Sequence, residues 1–399
     1  MSTLKINKYL ISEVKTSLEE VFFDGKYADK VIEACFKRNG NWTTQERKFF
    51  AETIYGVLRW ERLLVFIAGD EGLYRIMGTQ WLRMGHDLPP WEEFEGLSYD
   101  FVQRREKLAA SSFATKQSIP DWMDELGRKE LGSDWEKIIL ALNKPADFFL
   151  RVNALKTKPE ELIAALAESN IVAEKVSPEL PYALRVQDRK EIFQTESFRK
   201  GFFEVQDAGS QMIVPLLDVQ PGQRVIDACA GAGGKSLHMA SLMKNKGRIL
   251  SMDIKDWKLH ELKLRARRGG VDIIETRLID STKVIKRNKE QADRVLLDVP
   301  CSGLGVLRRN PDAKWRLAIE DIEELQKEQY QILTTYSQMT KKGGQMVYST
   351  CSILPSENEK QVARFLKEKG SEWTLEKELH LLPNIQGFDG FYAALLKRH

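Results

Sequence analysis

The chain has 399 residues, of which 42% are hydrophobic and 30% are charged, and a formal net charge of +3 at pH 7. This length allows two or three domains that each bury a core, and the composition excludes a disordered or fibrous protein. Four scattered cysteines without close CxxC spacing exclude a disulfide scaffold and a zinc finger. No signal-peptide pattern and no apolar run of ~18 residues is found. We therefore expect a cytoplasmic protein with reduced thiols and no metal ion.

The N-terminal region is predicted to be helical. Apolar residues recur at helical spacing from Leu4 to about Gly69, and Cys35 lies in this apolar stripe, so we expect it to be packed in a core. Thr43, with Glu46 three residues later, forms a capping-box pattern for the second part of this region, and Asn41 is the alternative cap. Short strand-like segments around a helix at Pro159–Glu168 then predict a small α+β module.

From Gln211 onward the patterns of strands and helices alternate. This alternation predicts βαβ units and a mostly parallel sheet with helices on both faces. The predicted strands are residues 224–230, 248–253, 273–278, 293–298, 345–350 and 391–396, and the predicted helices are Lys235–Lys244, Asp256–Arg268, Ile319–Met339 and Glu357–Glu368.

A glycine-rich segment, DACAGAGGKS (227–236), follows the first of these strands and begins a helix. Its glycines allow a ligand to approach the backbone, and Asp253 ends the next strand, where a carboxylate usually binds ribose hydroxyls. Cys229 stands where a P-loop needs glycine, and Ser236 stands where a dinucleotide loop needs its third glycine. S-adenosylmethionine is the third candidate ligand, and the loop alone does not decide among the three.

Two further segments each place a cysteine directly after a predicted buried strand. They are DVPCSGLG (298–305) and YSTCS (348–352). Strand ends of this kind lie at the edge of an open α/β sheet where ligands bind. Two thiols at one edge indicate a nucleophile paired with acid–base chemistry.

These segments, in this order, resemble the RsmB-like (Sun/Fmu-type, NOL/NOP/Sun) RNA 5-methylcytosine methyltransferases. Further matches are RVNALK (151–156), EVQDAGSQ (204–211) and GFDGFYAALL (387–396). The resemblance implies a class I S-adenosylmethionine-dependent methyltransferase fold, α/β and Rossmann-like, with a mostly parallel seven-stranded sheet. It also implies three domains: a helical, NusB-like region (1–140), a small α+β RNA-binding module (145–205) and a catalytic domain (206–399).

The resemblance also implies the roles of the site residues. Cys351 is the expected nucleophile, which adds to carbon 6 of cytosine, and Cys301 assists its release. Asp298 is expected to bind the amino edge of the base, and Lys235 to supply part of the positive surroundings that a thiolate needs. Ala232 stands where many members of the family have proline, a change that removes no ligand contact. The implied S-adenosylmethionine pocket consists of Cys229, Ala230, Gly231, Ala232, Gly233, Gly234, Lys235, Asp253, Asp280 and Asp298.

The implied substrate is RNA with an accessible, unstacked cytosine, either ribosomal RNA or, as the alternative, transfer RNA. Arg308 and Arg309 directly follow the first cysteine segment and are predicted to contact the phosphate backbone. A rival interpretation is a non-catalytic RNA-binding assembly factor, which the presence of both cysteines disfavours. Neither the RNA nor the oligomeric state follows from the sequence, and a monomer is expected.

Overall fold

The computed structural model describes residues 7–187 and 192–399. The chain forms two compact units. Unit 1 comprises the chain as far as Lys144 together with Leu307–Ile319, and unit 2 comprises Pro145–Val306 and Glu320–His399. Leu307–Ile319, which follows the first cysteine segment, therefore belongs to unit 1, and the sequence did not indicate this. Residues 4–6 of the predicted helical region lie outside the described residues.

Unit 1 is helical, and apolar side chains from its first four helices form its main core. Thr43 is the N-cap of α3: its hydroxyl accepts the N–H of Glu46 at 3.2 Å, and the Glu46 carboxylate accepts the N–H of Thr43 at 2.8 Å. The predicted capping box is confirmed, and so is the burial of Cys35 in the core. The first helices are α1 Lys8–Phe22, α2 Ala28–Arg38, α3 Thr44–Ala68, α4 Leu73–Arg83, α5 Tyr99–Ala109, α6 Phe113–Lys116, α7 Asp121–Leu131 and α8 Trp135–Leu142.

Unit 2 begins with a small antiparallel sheet. Its elements are β1 Phe148–Val152, α9 Pro159–Glu168, β2 Ala173–Lys175, β3 Ala183–Val186, α10 Glu196–Arg199 and β4 Phe203–Val205. In the described part of this region the strands lie in the order β2-β3-β1-β4. Leu162 and Leu166 of α9 pack with Leu150 and Val152 of the central strand β1 in one core.

The rest of unit 2 alternates strands and helices. The elements in order are α11 Ala208–Leu216, β5 Arg224–Asp227, α12 Gly234–Leu242, β6 Arg248–Asp253, α13 Asp256–Gly269, β7 Ile274–Leu278, α14 Thr282–Arg287, β8 Ala292–Asp298, α15 Ala313–Arg316 (in unit 1), α16 Ile319–Tyr336, β9 Thr340–Thr350, α17 Glu359–Lys369, β10 Trp373–Leu381, α18 Pro383–Gln386 and β11 Phe391–Arg398. Within residues 206–399, seven strands form one sheet in the order β10-β11-β9-β8-β5-β6-β7. Strands β9, β8, β5, β6 and β7 are parallel, and β11 is antiparallel to its neighbours β9 and β10.

Both faces of this sheet are covered by helices, as the apolar run in β8 requires. Leu296 belongs to the core under α11, α12 and α13. Val295 and Leu297, which alternate with it, belong to the core under α14, α16 and α17. The predicted fold class is confirmed. Among the described residues, no helix combines the length and the apolar character that crossing a bilayer requires.

Candidate active site

The two cysteine segments meet at the carboxyl edge of the large sheet. Strands β8 and β9 are parallel neighbours in which Asp298 lies opposite Ser349, so the turns that follow them emerge side by side. The Sγ atoms of Cys301 and Cys351 are 3.2 Å apart, and the N–H of Cys351 donates to the Sγ of Cys301 at 3.3 Å. Both side chains are partly exposed. The structure thus brings the two predicted thiols together.

Backbone hydrogen bonds hold these turns against each other. The N–H of Gly305 donates to the carbonyl of Cys351 at 3.0 Å, and the N–H of Gly390 donates to the carbonyl of Gly305 at 2.7 Å. A Cβ atom at Gly305 would lie 2.3 Å from the Gly390 oxygen and 2.7 Å from the Cys351 oxygen, so only glycine fits at this position. This close contact fixes the position of the Cys351 backbone.

An ion pair lies next to the thiols. The Nζ of Lys235 is 2.5 Å from one carboxylate oxygen of Asp298, and the other oxygen accepts the hydroxyl of Ser349 at 3.0 Å. Burial alone would lower the pKa of Lys235, but the charge of Asp298, its hydrogen bond and further neighbouring groups together outweigh burial, and the net effect is a raised pKa. Lys235 therefore remains positively charged at neutral pH. Its charge also interacts with Cys351.

Cys301 and Cys229 are the other two cysteines near this edge, and the surroundings of each raise its pKa. The hydrogen bond with Cys351, together with burial, raises the pKa of Cys301 well above its ordinary value. Burial likewise raises the pKa of Cys229, and nearby carboxylates add to the effect. Both groups are therefore neutral thiols in the free protein, and Cys229 has no setting that would make it a nucleophile.

A cleft of about 430 Å³ opens beside this ion pair. The predicted cofactor residues line it, with the exceptions of Gly233 and Asp280; Val205, Gln206, Ser210, Asp227, Lys258, Arg265, Val299 and Pro300 line it as well. Gly231 and Gly233 have φ angles of 53° and 85°, which favour glycine. A Cβ atom at Gly233 would lie 2.4 Å from Leu262, so Gly233 allows α12 to pack closely against α13.

The residues of this cleft fit an adenosyl group with a positively charged sulfonium. The buried carboxylate of Asp253 accepts the N–H of Gly231 at 2.9 Å and the N–H of Lys255 at 2.8 Å, which places it at the end of β6 for ribose hydroxyls. Asp227 and Asp298 add further carboxyl groups to the lining. The loop residues Gly231–Gly234 have no bulky side chains that would fill the cleft.

Two arginines donate hydrogen bonds to backbone carbonyls of the glycine loop. One of them belongs to the small sheet, and the other pairs with a residue of that sheet. The buried Arg151 of β1 donates to the carbonyl of Gly234 at 2.6 Å. Arg265 of α13 donates to the carbonyl of Ala232 at 2.7 Å, and Glu204 of β4 accepts two hydrogen bonds from the same guanidinium at 2.9 and 3.1 Å. The sequence did not predict that the small sheet supports the cofactor loop.

Three predicted site residues lie elsewhere. Asp280 is exposed in the loop after β7, where it accepts the hydroxyl of Ser281 at 3.0 Å. Arg308 is buried in unit 1, where its carbonyl accepts a hydrogen bond from Arg59 at 2.9 Å, and Arg309 is partly exposed. The ligand contacts assigned to these three residues stay predictions, and Arg309 is the more accessible of the two arginines.

Among the lining residues that sequence reasoning missed are Val205, Gln206 and Ser210. They belong to the segment EVQDAGSQ (204–211), which carried part of the family resemblance but was given no role. Gln206 accepts a hydrogen bond from Arg151 and donates one to Ser210 at 3.1 Å. The available signal was that this segment, at the end of β4 and the start of α11, already carried part of the family resemblance.

The fold and the site together define a class I S-adenosylmethionine-dependent methyltransferase with two thiols at its active edge. Residues 214–397 match the model of the 16S rRNA methyltransferase RsmB/F family, and residues 119–192 match the ferredoxin-like domain of RsmF/B-like methyltransferases. The chain belongs to the RsmB/F family. The predicted family, enzyme class and methyl donor are thereby confirmed.

Individual relatives agree with this assignment. A probable ribosomal RNA small subunit methyltransferase B from Synechocystis is 32% identical over 93% of this chain and 95% of its own length. A probable protein of the same name from Bacillus subtilis is 34% identical over 71% of this chain and 67% of its own length. The crystal structure of PH0851 has the same fold, with a TM-score of 0.83 and 24% identity over 99% of this chain and 100% of that chain.

Proposed function

We propose that the protein transfers a methyl group to carbon 5 of a cytosine in small-subunit ribosomal RNA, with Cys351 as the nucleophile. The observation that carries this proposal is the 3.2 Å separation of the Cys301 and Cys351 sulfurs beside the Lys235–Asp298 ion pair. The relatives named small subunit methyltransferase B support ribosomal RNA as the substrate. We further propose that the protein acts as a monomer in the cytoplasm.

In this mechanism the Cys351 thiolate forms a bond to carbon 6 of the cytosine, and the electron pair of the 5,6 double bond makes carbon 5 nucleophilic. The positive charge of Lys235 lies beside Cys351 and interacts with its side chain. Asp298 hydrogen-bonds the amino edge of the base and stabilises the protonated ring. Bound S-adenosylmethionine supplies the methyl group as an electrophilic carbon.

Release requires that carbon 5 lose its proton. Cys301 assists this step: its sulfur, 3.2 Å from the nucleophile, takes part in moving that proton away. The electron pair left on carbon 5 restores the 5,6 double bond, the bond from carbon 6 to Cys351 breaks, and Cys351 leaves as a thiolate. Cys301 is a neutral thiol in the free protein, so its sulfur accepts the carbon-5 proton only after it has released its own proton to solvent.

The residues that line the cleft indicate which groups would contact S-adenosylmethionine. Asp253 would hold the ribose hydroxyls, and the backbone of Cys229–Gly234 would lie against the adenosyl group. The target cytosine must leave its stack to reach Cys351, so we propose a loop or another unpaired RNA segment as the substrate. Unit 1 and the small sheet would bind flanking RNA.

Bisulfite sequencing of total RNA tests this function. Cells without the gene should lose one unconverted cytosine in small-subunit ribosomal RNA. Wild-type protein should restore it, and the Cys351→Ser variant, as the matched control, should not. Loss of a signal in transfer RNA instead would identify the alternative substrate. An unchanged map would contradict the proposal and favour an RNA-binding factor without this activity.

A further inference from the structure

A buried carboxylate lies behind the two cysteine turns. Glu357 is in the connection between β9 and α17, and its side chain is fully shielded from solvent (0% exposed). Its own carbonyl accepts the hydroxyl of Tyr348 at 2.6 Å, which fixes the backbone at this point. A buried carboxylate is costly unless strong hydrogen bonds compensate it.

Four hydrogen bonds from neutral groups satisfy this carboxylate. Its Oε1 accepts the backbone N–H of Ser302 at 2.8 Å and the side-chain amide of Gln329 at 2.9 Å. Its Oε2 accepts the hydroxyl of Ser302 at 2.5 Å and the hydroxyl of Ser352. The two hydroxyls are also 3.2 Å from each other. One carboxylate therefore connects both cysteine turns.

These contacts lie one residue away from each thiol. Ser302 directly follows Cys301, and Ser352 directly follows Cys351. A displacement of either serine moves one sulfur relative to the other, and the sulfurs are 3.2 Å apart. Gln329 extends the network, because its amide also donates to the carbonyl of Pro300, the residue before Cys301.

A purely local role for Glu357 does not account for these partners. The side chain precedes α17, where an acidic residue often caps the helix by accepting its first N–H groups. Here the carboxylate instead accepts hydrogen bonds from the two turns and from α16. Its two carboxyl oxygens connect the turns of the active edge through these hydrogen bonds.

We propose that Glu357 is a positioning residue that holds the thiols of Cys301 and Cys351 at the separation required for release of the methylated base. The inference rests on the proposed function of these thiols. Glu357 acts through Ser302 and Ser352 and does not touch the substrate.

The first test compares the kinetics of Glu357→Ala and Glu357→Gln with those of the wild-type protein. Glu357→Ala should lower kcat by about 10- to 100-fold, because small misplacements of reacting groups have effects of this size. Its KM for S-adenosylmethionine should stay unchanged. Glu357→Gln should recover most of kcat, since its amide still offers one oxygen to the Ser302 N–H and Gln329, and its NH₂ group can donate to the two hydroxyls.

Gln361→Ala is the matched control. Gln361 is also a buried polar residue near the start of α17, but its amide donates to the carbonyls of Gln326 and Ser356 at 3.1 Å. Its loss should leave kcat within about twofold of the wild-type value, as is usual for changes outside the reacting groups. Equal impairment by the alanine and glutamine variants of Glu357, or a wild-type kcat in both, would overturn the proposal.

A second test does not depend on methylation. Dibromobimane links two neighbouring thiols, and peptide mass spectrometry measures the yield of the Cys301–Cys351 link in the free protein. Glu357→Ala should give a clearly lower yield than wild type and Glu357→Gln, while alkylation of Cys229 serves as the internal control. Unchanged cross-linking in all variants would overturn the proposal. If the wild-type protein methylated no cytosine, the proposed function would fail, and this comparison would still decide whether Glu357 sets the thiol separation.

If Glu357→Ala does not fold, Ser302→Ala and Ser352→Ala provide the same test with smaller changes. Each removes one hydroxyl from the shared carboxylate oxygen. Each should lower kcat and the cross-linking yield. In the double variant the fold decrease in kcat should be smaller than the product of the two single decreases, because both hydrogen bonds act on one carboxylate. Independent, fully multiplicative effects would contradict the shared role of Glu357.

Discussion

The sulfur atoms of Cys301 and Cys351 lie 3.2 Å apart although 50 positions separate the two residues in the sequence. Parallel pairing of β8 and β9 produces this contact, because Asp298 and Ser349 lie opposite each other at the ends of these strands. At this distance one thiol can form the bond to the base while the other assists proton removal. The proposed division of the reaction between the two cysteines rests on this contact.

The Cys301→Ala variant should accumulate a covalent complex with RNA, since addition by Cys351 proceeds while release stalls. Its kcat should fall by about 10²- to 10⁴-fold, the usual contribution of an acid–base group. Denaturing gel electrophoresis with labelled RNA measures the complex. The Cys351→Ala variant is the control and should form none. A Cys301→Ala variant without complex, under conditions where the wild type methylates, would show that the two roles are assigned wrongly.

Arg265→Ala should weaken the binding of S-adenosylmethionine by about 10-fold, or ~1.4 kcal/mol. The side chain of Arg265 donates to the Ala232 carbonyl at 2.7 Å and thereby fixes the shape of the glycine loop. Isothermal titration calorimetry measures the affinity. Arg268→Ala is the matched control: Arg268 also pairs with Glu204, at 2.6 Å, but donates no hydrogen bond to the loop in the described structure. An equal loss of affinity for S-adenosylmethionine in the Arg265→Ala and Arg268→Ala variants would contradict a specific role of Arg265.

Much of the fold and of the site could be predicted from the sequence because the signals were local. The apolar run before Asp298 predicted β8, the glycines predicted the loop after β5, and both cysteines follow strands. Strand β10 (Trp373–Leu381) was missed, since only its two end residues are buried and its interior lacks an apolar alternation. The structure of an exposed edge strand is determined by its partner β11 and hardly by its own pattern.

The missed parts of the site depend on partners that are distant in the sequence. Glu357 looks like an ordinary acidic residue at a helix start, and its role appears only when Ser302, 55 positions away, is placed beside it. The segment that contains Arg308 belongs to unit 1, where the Arg308 carbonyl accepts a hydrogen bond from Arg59, 249 positions away, and the phosphate contact of Arg308 stays a prediction.

Stability should depend on pH through Asp227, whose pKa burial raises to about 7. In the unfolded chain this carboxyl titrates near 3.9, so between these values the folded state binds a proton that the unfolded state does not. The contribution of Asp227 to stability is therefore largest below about pH 4 and is lost as the pH rises towards 7. From pH 5 to pH 8 we expect a loss of about 2–3 kcal/mol from this group.

The Asp227→Asn variant isolates this contribution, because asparagine has no charge to bury. Urea denaturation at pH 5 and pH 8 measures the free energy of unfolding of both proteins. The variant should gain stability relative to the wild type on going from pH 5 to pH 8. If the free energies of unfolding of the two proteins differed by the same amount at both pH values, Asp227 would keep its charge state throughout this range.

Lys314→Met should destabilise unit 1 by about 2–4 kcal/mol, because it leaves buried acceptors without a donor. The fully buried Nζ of Lys314 donates to the carbonyl of Arg59 at 3.0 Å, the carbonyl of Ser118 at 3.1 Å and the side-chain oxygen of Asn143 at 2.7 Å. Methionine keeps the length of the side chain, so the change measures the lost hydrogen bonds more than lost packing.

Guanidinium denaturation, followed by circular dichroism of the helices, measures this effect. The exposed Lys129, on α7 of the same unit, provides the control: Lys129→Met should change the unfolding free energy by less than about 0.5 kcal/mol. Because Lys314 belongs to Leu307–Ile319, a large effect would establish that this segment is an integral part of the core of unit 1. A Lys314→Met protein as stable as the wild type would mean that Arg59, Ser118 and Asn143 find other donors.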